Sequence, residues 1–200
     1  MSTAAKNTKH AEKFAEYLES LYERDDRAAL ASLRRGLGRA PGEAGEMHRY
    51  VVPRVQGLKV WQEDAYYIVA ALFALHPGRS WRAPGDGAKQ KTNLGASLGI
   101  LAQESPSVER RFVALLNARV EELPHHLRNI ISLLKSSQKE IPVDWAQLIE
   151  NITRWNHENR RVQREWSRAF WTLTTEPEND DDAALSATPV EPDSEKMDAE

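Results

Sequence analysis

Between Pro142 and Leu173 the apolar residues fall on one line of a helix. Trp145, Leu148, Ile152, Trp155, Val162, Trp166, Ala169 and Leu173, with Asn159 as the single polar member, recur at alternating steps of three and four residues. That spacing places side chains on one helical face. A chain with such a stripe must provide a second apolar surface to cover it, so its fold is built on helix packing. Asp144 stands where an N-cap belongs, and Pro142 just upstream stops any earlier helix. The pattern predicts one continuous helix over the whole stretch. Opposite the seam, Arg154, Arg161 and Arg168 lie seven residues apart, with Arg160 and Arg164 beside them.

The rest of the chain reads as helices separated by short turns. Phe14, Tyr17, Leu18, Leu21 and Tyr22 keep the spacing of a first amphipathic helix. Asp25 or Asp26 caps a second, RAALASLRRGLG, closed by Gly36 and Gly38. A short helical piece through Met47 and Tyr50 is expected to end before Pro53. Lys59 to Leu75 is apolar enough to be a helix buried on more than one side, ended by Pro77. After a loop, Asn93 opens NLGASLGILAQ, whose Gly95, Ala96, Ser97 and Gly99 leave room for a close helical neighbour. Ser105 and Pro106 open the next helix, with Val108, Phe112, Leu115 and Leu116 inward. The one following Pro124 buries Leu127, Ile130, Ile131 and Leu134. No segment alternates apolar and polar residues as a strand would.

These readings give an all-α fold of two small helical bundles forming an elongated body. Residues 1–76 would make the first bundle, 77–92 a loop, 93–173 the second bundle and 174–200 a disordered acidic tail.

The net charge of −3 averages two unlike parts. From Thr174 to Glu200 ten acids face Lys196 alone, a net of −9, while Met1 to Leu173 carries 26 basic and 20 acidic residues, a net of +6. Eighteen of those 26 are arginines, the side chain suited to planar, bidentate phosphate contacts. The body thus reads as a polyanion binder. The tail, with three prolines and almost no large apolar residue, cannot offset its ordering entropy. It serves either as a solubilising terminus or as a competitor for the basic face. No run of apolar residues is long enough for a bilayer crossing. The N-terminus lacks the apolar core of a secretory signal, and cysteine is absent. Both features point to the cytoplasm.

Catalytic constellations are missing, which disfavours an enzyme. His157 and Glu158 begin a zinc-protease pattern, but Arg161 stands where the second histidine would be. Adjacent helical residues such as His125 and His126 point about 100° apart and read as surface or capping groups rather than metal ligands. PGDGAKQKT lacks the Gly-Lys-Ser/Thr order of a phosphate loop. Neither a metal nor any other cofactor is expected.

Tryptophans and arginines remain as carriers of function. Of the six tryptophans, Trp145, Trp155 and Trp166 fit the seam and read as core. Trp81, beside Arg79 and Arg82 in the loop, is open to base stacking or partner docking. On the last helix, Glu158–Arg161 and Glu165–Arg168 have spacing for local ion pairs. A second set, Arg34, Arg35, Arg110, Arg111, Arg119, Arg128 and Lys135, has fewer acids in register. Gathered on one surface, it would form a groove for a nucleic-acid backbone.

Several segments also resemble a known family. LRRG at Leu33–Gly36, NLGASLGILA at Asn93–Ala102, VERRFVALLNAR at Val108–Arg119, HLRNIISLL at His126–Leu134, and PVDWAQLIENITRW followed by VQREWSRAFW are similar to CasB, the small subunit of the type I-E CRISPR surveillance complex Cascade. The resemblance runs from about His10 to Trp171. It implies an all-helical, non-enzymatic subunit present in two copies, in contact with the backbone subunits that hold the guide RNA and with the large subunit that reads the PAM. It also implies a basic surface that holds target DNA, especially the displaced strand of the R-loop. The positions it carries over are Arg34, Arg35, Arg110, Arg111, Arg119 and Arg128. Two rival readings are a structural adaptor using its helix faces for protein contacts alone and a free-standing helical DNA-binding regulator.

Overall fold

The computed structural model describes residues 3–78, 80 and 92–174. Trp81 with most of its loop, and the acidic tail beyond Thr174, lie outside the described residues. The described chain is all-α. Its helices are α1 (Thr3–Glu23), α2 (Arg27–Arg34), α3 (His48–Val55), α4 (Val60–Leu75), α5 (Leu94–Ala102), α6 (Ser107–Asn117), α7 (Leu123–Ser136), α8 (Trp145–Thr153) and α9 (Arg161–Thr174). Short 3-10 turns precede α3 at Gly45–Met47 and α7 at Val120–Glu122. The only strand-like pairing among the described residues is one bridge, Ser80 to Val143.

Local chemistry accounts for the boundaries. Asp26 is the N-cap of α2, its carboxylate accepting from the Ala29 N–H at 2.9 Å, while Asp25 takes a left-handed φ of 52° to turn the chain out of α1. Asn93 and Asp144 cap α5 and α8 in the same way, accepting from Ala96 and Gln147. Some expected boundaries shift: α2 ends at Arg34, before Gly36, α7 takes Pro124 into its first turn, and α3 does not stop before Pro53 but runs through it to Val55. Pro53 is exposed and in the last turn of the helix, where its missing N–H forfeits one bond and leaves the rest of the ladder intact.

The centre of the molecule is α4. Ala65 through Ala74 are all buried, as expected for a helix covered on several sides, and α2, α3, α7 and α8 pack around it. α8 also lies along α1, so one apolar core runs from Ala11 to Phe170. Tyr66 is part of that core, edge-on to Phe14 at 5.0 Å and to His10 at 5.5 Å. Burial, and then the nearby Glu150 carboxylate, push its phenol up to about 12. The folded state therefore keeps this proton longer than the unfolded chain does, and the resulting stability is lost as pH rises from about 10 through 12. Tyr66→Phe should flatten the alkaline fall in stability when urea midpoints are compared above pH 10. An unchanged alkaline slope would show that another group is responsible.

The principal correction concerns the C-terminal seam. It is not one helix: α8 ends at Thr153, residues 154–160 turn, and α9 starts at Arg161. Asn156, His157 and Asn159 are weak helix formers whose side chains favour local turns, and Arg160 adopts a left-handed φ of 46°. Tertiary bonds hold the turn. Trp155 Nε1 donates to Ala118 O at 2.9 Å, Arg160 Nη2 to Leu116 O at 2.6 Å, and Gln163 Nε2 to Trp155 O at 3.0 Å. Trp155 and Trp166 then meet edge to face with centroids 5.2 Å apart. On a straight helix, eleven residues would separate them by about 16 Å. The burial the seam predicted is retained for Trp145, Leu148, Ile152, Trp155, Val162 and Trp166, whereas Asn159 and Leu173 are exposed, Ala169 is half-buried, and Phe170 is buried instead.

The room left by small residues in α5 is filled by α9. A methyl group on Gly95 would lie 2.2 Å from Trp166 O, and one on Gly99 would lie 2.9 Å from Phe170 O. Ser97 uses its hydroxyl to hold the incoming chain, donating to Pro142 O at 2.7 Å.

Candidate nucleic-acid interface

Four of the seven predicted basic residues, and one that was not predicted, gather at the corner where α2 ends and α4 and α7 pass. Arg34 Nε donates to Ala74 O at 2.6 Å, which satisfies a carbonyl at the C-terminal end of α4. Arg35 pairs with Glu46 at 3.0 Å, both side chains largely exposed. The Glu46 carboxyl is held below its usual range, first by its own backbone N–H and then by Arg35 and Arg39, so Arg39 belongs to the same corner. From α7, the Arg128 guanidinium lies over the turn that follows α2: a methyl on Gly38, whose φ is 77°, would be 2.8 Å from Arg128 Nη1. Lys135 follows two turns later on the same exposed face of α7, about 10 Å along the axis. It lines a shallow depression with His76 and Pro77, just past the α4 end that Arg34 reaches.

Arg110 and Arg111 are on the exposed face of α6, which packs on α7, and Arg119 is exposed just beyond it. No hydrogen bond or ion pair among the described residues ties these three side chains to the corner. Nor does any pair a carboxylate with Arg110, Arg111, Arg119, Arg128 or Lys135 among the described residues. Their charge is open to an incoming anion. The Arg35–Glu46 pair is exposed and screened by water, a small obstacle to exchange for phosphate. Arg39 was missed because it sits in a glycine-rich turn rather than on a helical stripe.

A second concavity, about 750 Å³, lies between α8 and α9 and is floored by α5. The heptad of Arg154, Arg161 and Arg168 lines it together with Glu150, Glu165, Asn93 and Gln147. The arginines meet there because α9 folds back beside α8, not because they share one helix. Local neutralisation occurs, through different partners from those expected. Arg154 pairs with the buried Glu150 at 3.1 Å and Arg161 with Glu165 at 2.7 Å. Glu158 lies in the turn and is out of register with Arg161. Arg168 has no ion pair among the described residues.

The remaining candidates are structural or peripheral. Trp145, Trp155 and Trp166 are core residues, and Trp171 is half-buried against Phe112 and Phe170. Trp61 is 54% exposed at the start of α4. His125 and His126 stand edge to face at 5.8 Å, with Asn129 bonded to His125. No cluster of three or more metal-ligating side chains occurs among the described residues, and no described helix is long and apolar enough to cross a membrane.

Three comparisons bear on this arrangement. The family of CRISPR-associated protein Cse2 matches residues 29–171. A CRISPR-associated protein Cse2 of Thermus thermophilus is 34% identical over 163 residues, spanning 80% of this chain and 89% of that protein. Among solved structures, CasB from Thermus thermophilus superimposes with a TM-score of 0.67 at 29% identity, covering 86% of this chain and 99% of that one. A chain of a CRISPR RNA-guided surveillance complex superimposes at 0.68 with 28% identity, covering 84% and 95%. The resemblance read from the residues is thus met along most of the described helices, and the chain belongs to the CRISPR-associated Cse2 (CasB) family.

Proposed function

We propose that this chain is a non-catalytic subunit of a Cascade-type RNA-guided surveillance complex, where it steadies the R-loop by holding the backbone of the displaced DNA strand. The observation that carries the reading is the corner described above. Arg34, Arg35, Arg128 and Lys135 come from parts of the sequence about 100 residues apart and lie near one corner of the fold. Similarity to a chain of a CRISPR RNA-guided surveillance complex, and to one from a pre-nicking state of such a complex, supports the same assembly. Its partners there are the guide-RNA-binding backbone subunits, the PAM-reading large subunit, a second copy of itself, the guide RNA and the target DNA.

Backbone contacts suit this task. Exchanging a DNA duplex for an RNA–DNA heteroduplex is nearly balanced, so modest protein contacts tip it. Phosphate contacts carry no sequence information, which a subunit serving any guide requires. Replacing Arg110, Arg111, Arg119 and Arg128 together with alanine should weaken the R-loop while the subunit still incorporates. Each lost contact removes roughly 0.7 from the log–log salt slope on a single strand, about 3 in all. Unchanged affinity and slope would refute the reading. Lost incorporation with unchanged DNA affinity would favour a structural adaptor.

A further inference from the structure

The groove between α8 and α9 ends where the described chain ends. Its lining runs from Gln147 and Arg154 on α8 to Thr172 and Leu173 in the last turn of α9. The sequence that follows is the most acidic of the whole chain: Glu176, Glu178, Asp180, Asp181 and Asp182, with no basic residue before Lys196.

Distances along the chain match the two sets of charges. Arg168 lies about 9 Å and Arg161 about 20 Å back along α9 from Thr174, at 1.5 Å per helical residue. A segment doubling back in extended form covers about 3.3 Å per residue. Glu176 and Glu178 then come level with Arg168, and Asp180 to Asp182 with Arg161. The last carbonyls of α9 form the negative end of its dipole and disfavour carboxylates placed over them.

The groove accepts such a segment reversibly. Arg168 has no ion pair among the described residues. Arg161 holds Glu165 in an exposed pair, its side chain 76% accessible, and a guanidinium has five donors to share. Arg154 is committed to buried Glu150 and marks the far limit. Because Glu150 and Glu165 also line the groove, the attraction is moderate and falls with salt.

We propose that Glu176–Asp182 occupies the groove lined by Arg168 and Arg161 of the same chain, as an internal polyanion that covers this face. The docking stands on charge and reach alone.

The absence of cysteine makes the test direct. Ala183→Cys in the full-length chain takes a single nitroxide label, and backbone amide signals report its neighbours. We expect the Ala96, Gln147 and Arg168 amides to lose at least about half their intensity while those of Ala31 and Asn129 keep theirs. The loss should vanish in about 1 M salt, where the Debye length is about 3 Å, and in the Arg161→Gln/Arg168→Gln variant. No broadening, even broadening, or broadening centred on α2 and α7 would overturn the docking.

Discussion

Trp166→Ala is expected to lower the unfolding free energy by about 3–5 kcal/mol, the cost of removing a large aromatic from a core. Trp166 is fully buried, edge-on to Trp155, and its Nε1 donates to Asn151 Oδ1 at 2.9 Å. Truncation empties a space bounded by three helices and leaves the buried Asn151 amide without that donor, a further cost of about 1–3 kcal/mol. Set against a typical total of about 5–15 kcal/mol, this threatens folding itself. Trp166→Phe is the gentler variant, because it keeps most of the ring and removes the N–H. Urea titration gives the measurement: the midpoint should fall with little change in slope. Trp61→Ala, at an exposed site, serves as the reference and should stay within about 0.5 kcal/mol of the parent. A loss below about 1 kcal/mol in Trp166→Ala would mean that α9 does not seat its Trp166 face in the core.

The second large effect is expected from adding one carbon. Gly95→Ala gains about 1 kcal/mol of helix propensity. Its methyl, however, would lie 2.2 Å from Trp166 O and 2.7 Å from Trp166 Cα, both backbone atoms of α9. No rotamer change relieves that, so α5 and α9 must move apart along a shared seam. Overpacking of this kind costs about 1–3 kcal/mol, occasionally more. We expect the upper part of the range, for a net loss of about 2 kcal/mol. Gly99→Ala meets Phe170 O at 2.9 Å and Leu173 Cβ at 3.0 Å, and should come closer to break-even. Gly45→Ala meets nothing within 4 Å and should be neutral or stabilise by up to about 1 kcal/mol. The order of thermal midpoints across the three variants is the check; Gly95→Ala ranking with Gly45→Ala would contradict the α5–α9 approach.

Most helices were legible in the residues because burial leaves a periodic record. The same record misled at residues 154–160. Spacing reports which side chains are covered, but not whether the backbone between them stays helical. Trp155 and Val162 keep the seam's period although a turn separates them, and Asn159, its single polar member, marked the break. Close packing of α5 could be inferred from Gly95 and Gly99, but the identity of its partner could not, because that depends on the direction α9 takes after Arg160.

The basic corner was readable only as a list of arginines. Charge and register identified Arg34, Arg35 and Arg128 as lacking nearby acids. Their meeting depends on α7 crossing the end of α2, a contact between residues about 90 apart in sequence that no local pattern encodes. Arg39 fell outside every helical stripe. The Glu158–Arg161 pair failed for the same reason as the seam, since its register was counted through a turn, and Glu165, expected to pair with Arg168, pairs with Arg161 instead.

The seating of α8 against both α1 and α4 also governs how the protein emerges from the ribosome. A nascent chain that has released α1 and α4 still lacks α8, which begins 70 residues after α4 ends. At about 5–20 residues per second, that delay lasts several seconds. Throughout it, the faces of α1 and α4 that α8 covers stay exposed, a surface for chaperones or for a neighbouring nascent chain.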